Sequence, residues 1–450
     1  MSFSTIPFLF FFLPVSLVLY RICPRGVRTA LLVILSLVFY AWGDIRSLPL
    51  LLFSIAFNYF SGLELSEWRK RDNPGVTRAA LWISVLLNVG ILCYCKYSSS
   101  VFPIGVSFYT FSAISYIADI YRGRAPAERD PLKAALYITF FPKLISGPIA
   151  RYEEFYPQIE TPAPGREAFF VGGERFLIGL FKKVLLADRL GAAFAAVRAA
   201  GALSAGSAWL GMIFYSLELY FDFSGYSDMA IGLAGMFGFR IGRNFDHPYL
   251  SASISEFWRR WHISLGRWFR EYVYIPLGGN RCGMARQLLN LAVVWILTGI
   301  WHGSTLNFVV WGLYHGLFVM LERIFLRGRS WSGVARVFRV LLTDLVVFFG
   351  WVLFFSPSLG GALSWFGSMF GADGLGFWDD AASYFLLDNL ALLAASVLFA
   401  GPFIGSLREN LVSRYPGSAV LDALLFAALL LFSAAGIVNA TYSTFLYFQF

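Results

Sequence analysis

Apolar runs follow one another along the whole chain, separated by short polar breaks. Leu31–Trp42, Ala80–Tyr94 and Ala419–Val438 carry at most one charged residue each. Some runs approach the roughly 20 residues that carry a helix across the hydrocarbon core, and others fall short. The pattern predicts an all-α, polytopic integral membrane protein with about eleven spans, roughly nine to thirteen, plus re-entrant and interfacial helices. The first run, Ile6–Tyr20, has the length of a signal-peptide core. It lacks a basic stretch before it and a small-residue cleavage site, so it reads as a retained helix.

Three stretches break the plain pattern. Pro103–Tyr116 (PIGVSFYTFSAISY) opens on Pro and Gly, and Thr139–Tyr152 (TFFPKLISGPIARY) sets Pro142, Lys143, Gly147 and Pro148 in an apolar run. His247–Arg286 is amphipathic and dense in Arg and Trp. Irregular backbone at membrane depth persists only where protein covers it or water reaches it. These segments are therefore expected to surround an internal cavity. Arg151–Glu167, rich in Pro and Glu, reads as a loop, and no repeat or separable soluble domain is visible. The expectation is a single membrane domain over 1–450 with its functional core at about 103–320.

Composition sharpens this. Of 450 residues, 58% are hydrophobic and 14% charged, with a mean hydropathy of +0.64. Soluble domains carry about 25% charged residues, so lipid must solvate much of the surface. A net charge of +9 would suit nucleic acid, but the basic residues cluster between apolar spans. Arg21, Arg25 and Arg28 form one cluster; Arg69, Lys70, Arg71 and Arg78 another; Arg122, Arg124, Arg129 and Lys133 a third. Six arginines lie between Arg259 and Arg286 and five between Arg323 and Arg339. That is the positive-inside signature of cytoplasmic loops. It excludes nucleic-acid binding and puts the N-terminus outside. The four cysteines read as small apolar fillers.

Candidate chemistry concentrates in one region. All four histidines, His247, His262, His302 and His315, fall between residues 247 and 315. Imidazole titrates near neutrality and can take and return a proton. In Ser255–Asn280, a continuous helix would put Trp258, Trp261, His262 and Leu265 on one face and most arginines elsewhere. Two readings stay open there. His262 is the polar handle of a membrane-anchoring helix, or it faces a cavity whose arginines hold an anionic, phosphorylated carrier such as coenzyme A. His302 ends an apolar helix and precedes Gly303, a position that lets another group approach closely. It is read as functional, acting as a base on a substrate hydroxyl rather than on a protein nucleophile. His315 stays open between function and packing. Glu218 and Asp222 share a helical face; they suit acid–base chemistry or cation binding, but interhelical hydrogen bonding is the favoured reading. Lys143, Lys182 and Lys183 are available counter-ions, and Asp119 and Asp344 are further isolated acids. No P-loop, nucleophile elbow, metalloprotease or dinucleotide pattern is present, and no metal site is expected.

At these residues the chain resembles the membrane-bound O-acyltransferase superfamily, in its bacterial branch of alginate O-acetyltransferases. The resemblance rests on PIGVSFYTFSAISYIADIYRG, FFPKLISGPIARY, YFDFSGYSDMAIGLAGMFGF, NFDHPYLSASISEFWRRWHISLGRWFREYVYIPLGGN, TGIWHG and the aromatic end STFLYFQF. Its most specific part is FWRRWHISL followed by WHG, with His262 and His302 forty residues apart. The resemblance implies a helical bundle around a transmembrane tunnel fed from the cytoplasm by an acyl thioester. The family's near-invariant histidine falls on His302 and its second active-site position on His262. It further implies an O-acetyltransferase of the inner membrane acting on an exported polysaccharide such as alginate. Acetyl-CoA would be its co-substrate, with no tightly bound cofactor, and an extracytoplasmic acetyltransferase its partner. From charge and position alone, Arg259, Arg260 and Arg267 would hold the coenzyme A phosphates. The alternative inside the family is D-alanyl transfer toward teichoic acid from an acyl-carrier protein. Outside it stands a proton-coupled transporter, which would show inverted repeats that the chain lacks.

Overall fold

The computed structural model describes residues 2–98, 102–326, 331–414 and 418–439. Among these residues the regular structure is entirely helical, as the hydropathy pattern predicts. The C-terminal stretch STFLYFQF lies outside the described residues. Backbone packing divides the chain into two compact units, residues 1–180 with 226–243, and residues 181–225 with 244–450.

The first unit is built from α1 (Leu13–Ile22), α2 (Arg28–Asp44), α3 (Leu48–Lys70), α4 (Pro74–Tyr97), α5 (Val106–Arg122), α6 (Pro131–Thr139), α7 (Phe141–Leu144), α8 (Tyr152–Glu160) and most of α9 (Arg166–Phe181). Local sequence sets the boundaries. Asn73 and Asp130 each accept a backbone N–H of the helix they precede, and a proline follows each at the first helical position, where its missing N–H costs nothing. α3 and α4 are joined by reciprocal amide bonds between Asn58 and Asn88, at 3.2 and 2.8 Å. Polar pairing of this kind ties helices together where the hydrophobic effect cannot.

α5 is the unit's core. Every residue from Val106 to Ile120 is buried, as expected of a helix apolar on all sides. It starts and stops on Gly105 (φ 72°) and Gly123 (φ 67°), whose left-handed backbone other residues rarely adopt. The expected irregularity at Pro103–Tyr116 is thus a regular buried helix after one glycine turn. The unit's intramembrane charges are used structurally. Asp119 accepts the Glu153 N–H at 3.0 Å. Lys143 donates to Ser112 at 3.1 Å and lies 4.6 Å over the Tyr137 ring.

The second unit contains α10 (Asp188–Ala199), the first two-thirds of α11 (Ala205–Met236), α12 (Ile254–Arg260), α13 (Ile263–Phe269), α14 (Met284–His302), α15 (Leu306–Phe325), α16 (Gly333–Phe355), α17 (Leu359–Met369), α18 (Asp380–Asp388), α19 (Leu390–Ala400), α20 (Phe403–Arg414) and α21 (Ser418–Val438). α14 and α15 form a tight antiparallel hairpin because glycines line their seam. A side chain on Gly299 would meet the Phe308 carbonyl at 2.5 Å, and one on Gly312 would collide with the Trp295 carbonyl. Asp222 of α11 behaves as the favoured reading has it. Lys183 bridges it at 2.8 Å and Asp188 at 2.6 Å, all three well buried. A π-helical turn at Lys182–Ala187 brings Lys183 and Asp188 together.

Six helical stretches among the described residues are long and apolar enough to cross a membrane: Arg25–Lys70, Pro74–Tyr97, Met284–His302, Leu306–Phe325, Gly333–Phe355 and Val420–Val438. The pair Asp380–Asp388 and Leu390–Ala400, bent by 56°, makes a seventh if taken as one span. Arg25–Lys70 alone holds two helices in 46 residues. The protein is multi-pass, as expected. Shorter helices such as α6 and α19 are too brief to cross alone.

Candidate active site

The site is assembled in the second unit around a break that helical periodicity does not reveal. α12 begins with a capping box. The Ser253 hydroxyl accepts the Glu256 N–H at 3.1 Å, and the Glu256 carboxylate reaches back to the Ala252 N–H at 2.9 Å. Glu322, from α15, adds a second cap by accepting the N–H groups of Ile254 and Ser255 at 2.7 and 2.8 Å. The helix stops after Arg260. Trp261 is extended (φ −102°, ψ 131°) and His262 is left-handed (φ 45°, ψ 51°), after which α13 starts.

A non-glycine residue in that conformation costs about 1–2 kcal/mol, so it must be held. Segment 244–246 holds it from both sides. The Asp246 N–H donates to the Arg260 carbonyl at 3.0 Å, and the Ile263 N–H donates to the Asn244 carbonyl at 2.9 Å. The Asn244 side-chain oxygen also accepts the Ser264 N–H and hydroxyl at 3.1 and 2.9 Å, capping α13. The continuous helix expected for Ser255–Asn280 is therefore replaced by two short helices with His262 at the corner. The physical reason is this long-range clamp, which satisfies backbone groups that the break takes out of the helix.

His262 lies outside the six candidate spans and is almost fully buried. Its ring is edge-on to Phe223 at 4.7 Å and stacks near Trp301 at 6.2 Å. Burial disfavours the imidazolium and pulls its pKa down to about 3. Trp301 also touches His302, ring to ring at 4.5 Å. His302 ends α14, with Trp311 and Phe354 edge-on at 4.9 and 5.1 Å. Gly303 follows in extended backbone, and the Phe308 ring packs where a side chain would stand. Both histidines line one cavity of about 990 Å³, whose apolar wall includes Phe223, Trp258, Trp311, Trp351 and Phe354.

Charge in the lining is one-sided. Arg259, Arg267, Arg270, Arg323, Arg336 and Arg339 line the cavity, against Glu256 and Glu322. Both glutamates are committed to capping α12, and Glu256 also pairs with Arg260 at 2.7 Å. The surplus favours an anionic ligand whose planar oxygens match guanidinium forks.

Of the residues singled out from sequence, His262, His302, Arg259 and Arg267 thus meet at one cavity. Arg260 is not in its lining; it is turned to Glu256 and to the Asp246 carbonyl at 3.4 Å. His315 is sealed behind the wall, fully buried, with Trp258, Trp311 and Trp295 at 4.9, 5.3 and 6.0 Å. His247 bonds the Ala400 carbonyl at 3.1 Å. Neither Pro103–Tyr116 nor Thr139–Tyr152 contributes to the lining; only His247–Arg286 of the three unusual stretches does. The lining also runs past residue 320, to Phe354. Sequence reading missed Asn244, Glu322 and the arginines at 323, 336 and 339 as site residues. The basic run 323–339 was visible, but only as a topology signal. Among the described residues no cluster of His, Cys, Asp or Glu could hold a metal.

Comparison with known proteins adds to this. The membrane-bound O-acyltransferase family matches residues 105–363. A protein of Pseudomonas putida named "Probable alginate O-acetylase AlgI" is 37% identical, with the whole of both chains covered. Its namesake from Pseudomonas syringae pv. tomato is 40% identical over 82% of this chain and 75% of its own. The "Peptidoglycan O-acetyltransferase" of Helicobacter pylori is 33% identical over 89% and 86% respectively.

Proposed function

Because the chain belongs to the membrane-bound O-acyltransferase family, we propose that this acyltransferase passes acetyl groups from cytoplasmic acetyl-CoA across the inner membrane. The acetyl groups end on hydroxyls of an exported polysaccharide, alginate or a polymer of similar chemistry. An extracytoplasmic acetyltransferase partner would complete the transfer. The single observation that carries this reading is the cavity lined by His262, His302 and an excess of arginine. Full-length similarity to proteins named for alginate O-acetylation supports the acceptor class.

In this reading the arginine-rich mouth faces the cytoplasm, as the positive-inside rule asks of segments 259–286 and 323–339, and the N-terminus lies outside. Arg259 and Arg267, joined by Arg270, hold the phosphates of coenzyme A. The acetyl thioester then lies among the tryptophans, where water is scarce. His302, half-exposed to the cavity, removes the proton of the attacking hydroxyl as its oxygen bonds to the carbonyl carbon. The same proton goes to the departing thiolate. His262 is kept neutral by burial and orients the thioester or donates to its carbonyl oxygen.

The test replaces His302 with Ala in a producing strain and measures the O-acetyl content of the exported polymer. Acetylation should be lost while the protein stays in the membrane at normal abundance; unchanged acetylation rejects the reading. Labelled acetate and labelled D-alanine, fed in parallel, separate acetyl transfer from D-alanyl transfer, since only one label should depend on this chain.

A further inference from the structure

One stretch of the cavity lining is held by bonds that the roles above leave unused. The turn after the π-helical Arg270–Tyr274 runs through Gly278 (φ 111°) and Gly279 (φ 54°). Side chains from α14 and α15 pin it. Gln287 donates to the Asn280 and Cys282 carbonyls at 3.1 and 2.5 Å, and Asn290 donates to the Leu277 carbonyl at 3.2 Å. Arg323, in the last turn of α15, donates to the Asn280 side-chain oxygen at 2.9 Å and to Gln287. The Tyr274 hydroxyl donates to the same Asn280 oxygen at 2.8 Å. Tyr274, Asn280 and Arg323 line the cavity.

The chemistry of this cluster is one-sided. A guanidinium can only donate, so the Asn280 atom facing it is the oxygen and the amide NH2 is turned elsewhere. Both lone pairs of that oxygen are taken, so the Asn280 and Arg323 side chains offer a ligand N–H donors and positive charge. Among the described residues Arg323 is held by neutral oxygens alone. Arg260 and Arg336, by contrast, approach Glu256 at 2.7 and 4.0 Å, and Arg339 lies over the Trp331 ring. A cation fixed by neutral groups keeps its charge for an anion, and a pinned turn loses little further freedom on binding one.

We propose that Arg323 and Asn280 form a further phosphate subsite beside Arg259, Arg267 and Arg270, and that it selects a nucleotide thioester as donor. The inference rests on the acetyl-CoA reading and narrows it. Coenzyme A presents anionic groups at two places, a diphosphate and a ribose 3′-phosphate, and can occupy both basic subsites. Phosphopantetheine on a carrier protein presents a single phosphodiester and leaves one idle. Arg323 and Asn280 take no part in bond making; they hold the nucleotide end of the donor.

The experiment uses the full chain in a neutral, phosphate-free detergent. Calorimetry measures Kd for coenzyme A, adenosine 3′,5′-bisphosphate and 4′-phosphopantetheine. Wild-type binding of coenzyme A tests the acetyl-CoA reading itself; without it that reading fails, whereas binding that the variants leave unchanged sinks only the subsite. The decisive variant is Asn280→Asp. Its carboxylate still accepts from Tyr274 and Arg323, so the turn stays pinned, but the NH2 donors give way to a charge that repels phosphate. Kd should rise about tenfold or more for coenzyme A and the bisphosphate, and less than about threefold for phosphopantetheine, with the unfolding midpoint not lowered. Arg323→Gln should show the same selective loss. Unchanged coenzyme A binding in Asn280→Asp, an equal loss for phosphopantetheine, or a loss accompanied by a lower midpoint would overturn the subsite. So would an effect of Asn280→Asp that appears only in vesicles containing phosphatidylglycerol, which would assign the pair to a lipid phosphate.

Discussion

His302 and His315 come from the same short run, TGIWHGSTLNFVVWGLYHG, and share an apolar, aromatic setting in sequence. In the fold they are opposites. His302 ends α14, is half-exposed and lines a cavity. His315 sits in mid-α15, fully buried and walled by tryptophans, with its Nε2 pressed toward the backbone of Gly350. Nothing in the run tells them apart: each follows an aromatic residue and precedes a glycine, Gly303 or Gly316. The difference teaches that an intramembrane histidine is made available for chemistry by a helix end and a void beside it, both products of packing.

The sharpest way to break this comparison is to exchange the fates of the two rings. His302→Ala should reduce acetyl transfer by about 10³-fold, the scale of a lost general base, with little change in thermal unfolding; comparable activity would erase the distinction. Asn244→Ala removes the side-chain half of the clamp beside the left-handed His262, the two bonds to Ser264, without touching the cavity lining. It should cut turnover by about 10- to 100-fold, as misplacement of a catalytic group does. His262→Gly, which accepts the left-handed backbone freely, should lose the ring but keep the fold.

His315→Ala should do the reverse of His302→Ala. It opens a void among tryptophans and should cost about 2–4 kcal/mol of stability, read as a lower unfolding midpoint in detergent. The kcat of the folded fraction should change by less than about tenfold; a loss as deep as that of His302→Ala would show His315 to be catalytic. Arg259→Gln and Arg267→Gln are expected to have the smallest effect. Each should raise KM for acetyl-CoA by about threefold to tenfold, less at high salt because exposed charges are screened. Arg260→Gln, whose partner is Glu256, should leave KM unchanged.

The pH profile sharpens the role of the remaining ring. With its pKa held down to about 3 by burial, His262 stays uncharged around neutral pH. Replacing it with Gln should lower turnover without moving the acid limb of the activity profile between about pH 5 and pH 8. A shift of that limb would assign the titrating group to His262 instead.

Much of the class was legible beforehand, for a physical reason. Lipid tolerates so few charges that 14% charged residues force an intramembrane fold, and basic clusters mark the loops whatever the packing. The two histidines and Arg259 and Arg267 were legible as candidates from residue type, clustering and charge, which survive the break of the expected helix at His262. Arg260, adjacent to Arg259, was not separable by sequence; its turn toward Glu256 comes from the four-residue spacing inside α12. The aromatic stretch at Pro103–Tyr116 looked broken because Pro and Gly punctuate it, yet those residues only start a helix that the first unit buries whole.

By itself, the sequence determined that this chain lives in a bilayer, is helical throughout its described length and carries its histidines in one region. These follow from transfer free energies and backbone hydrogen bonding, which each segment obeys without knowing its neighbours. Only the tertiary structure decided that Ser255–Asn280 breaks at His262, that His302 opens on a void and His315 does not, and that arginines some sixty residues farther along join the same wall. Those outcomes depend on long-range hydrogen bonds, such as those from Asn244 and Glu322, and on the shapes left between packed aromatic rings. Neither has any trace in local periodicity.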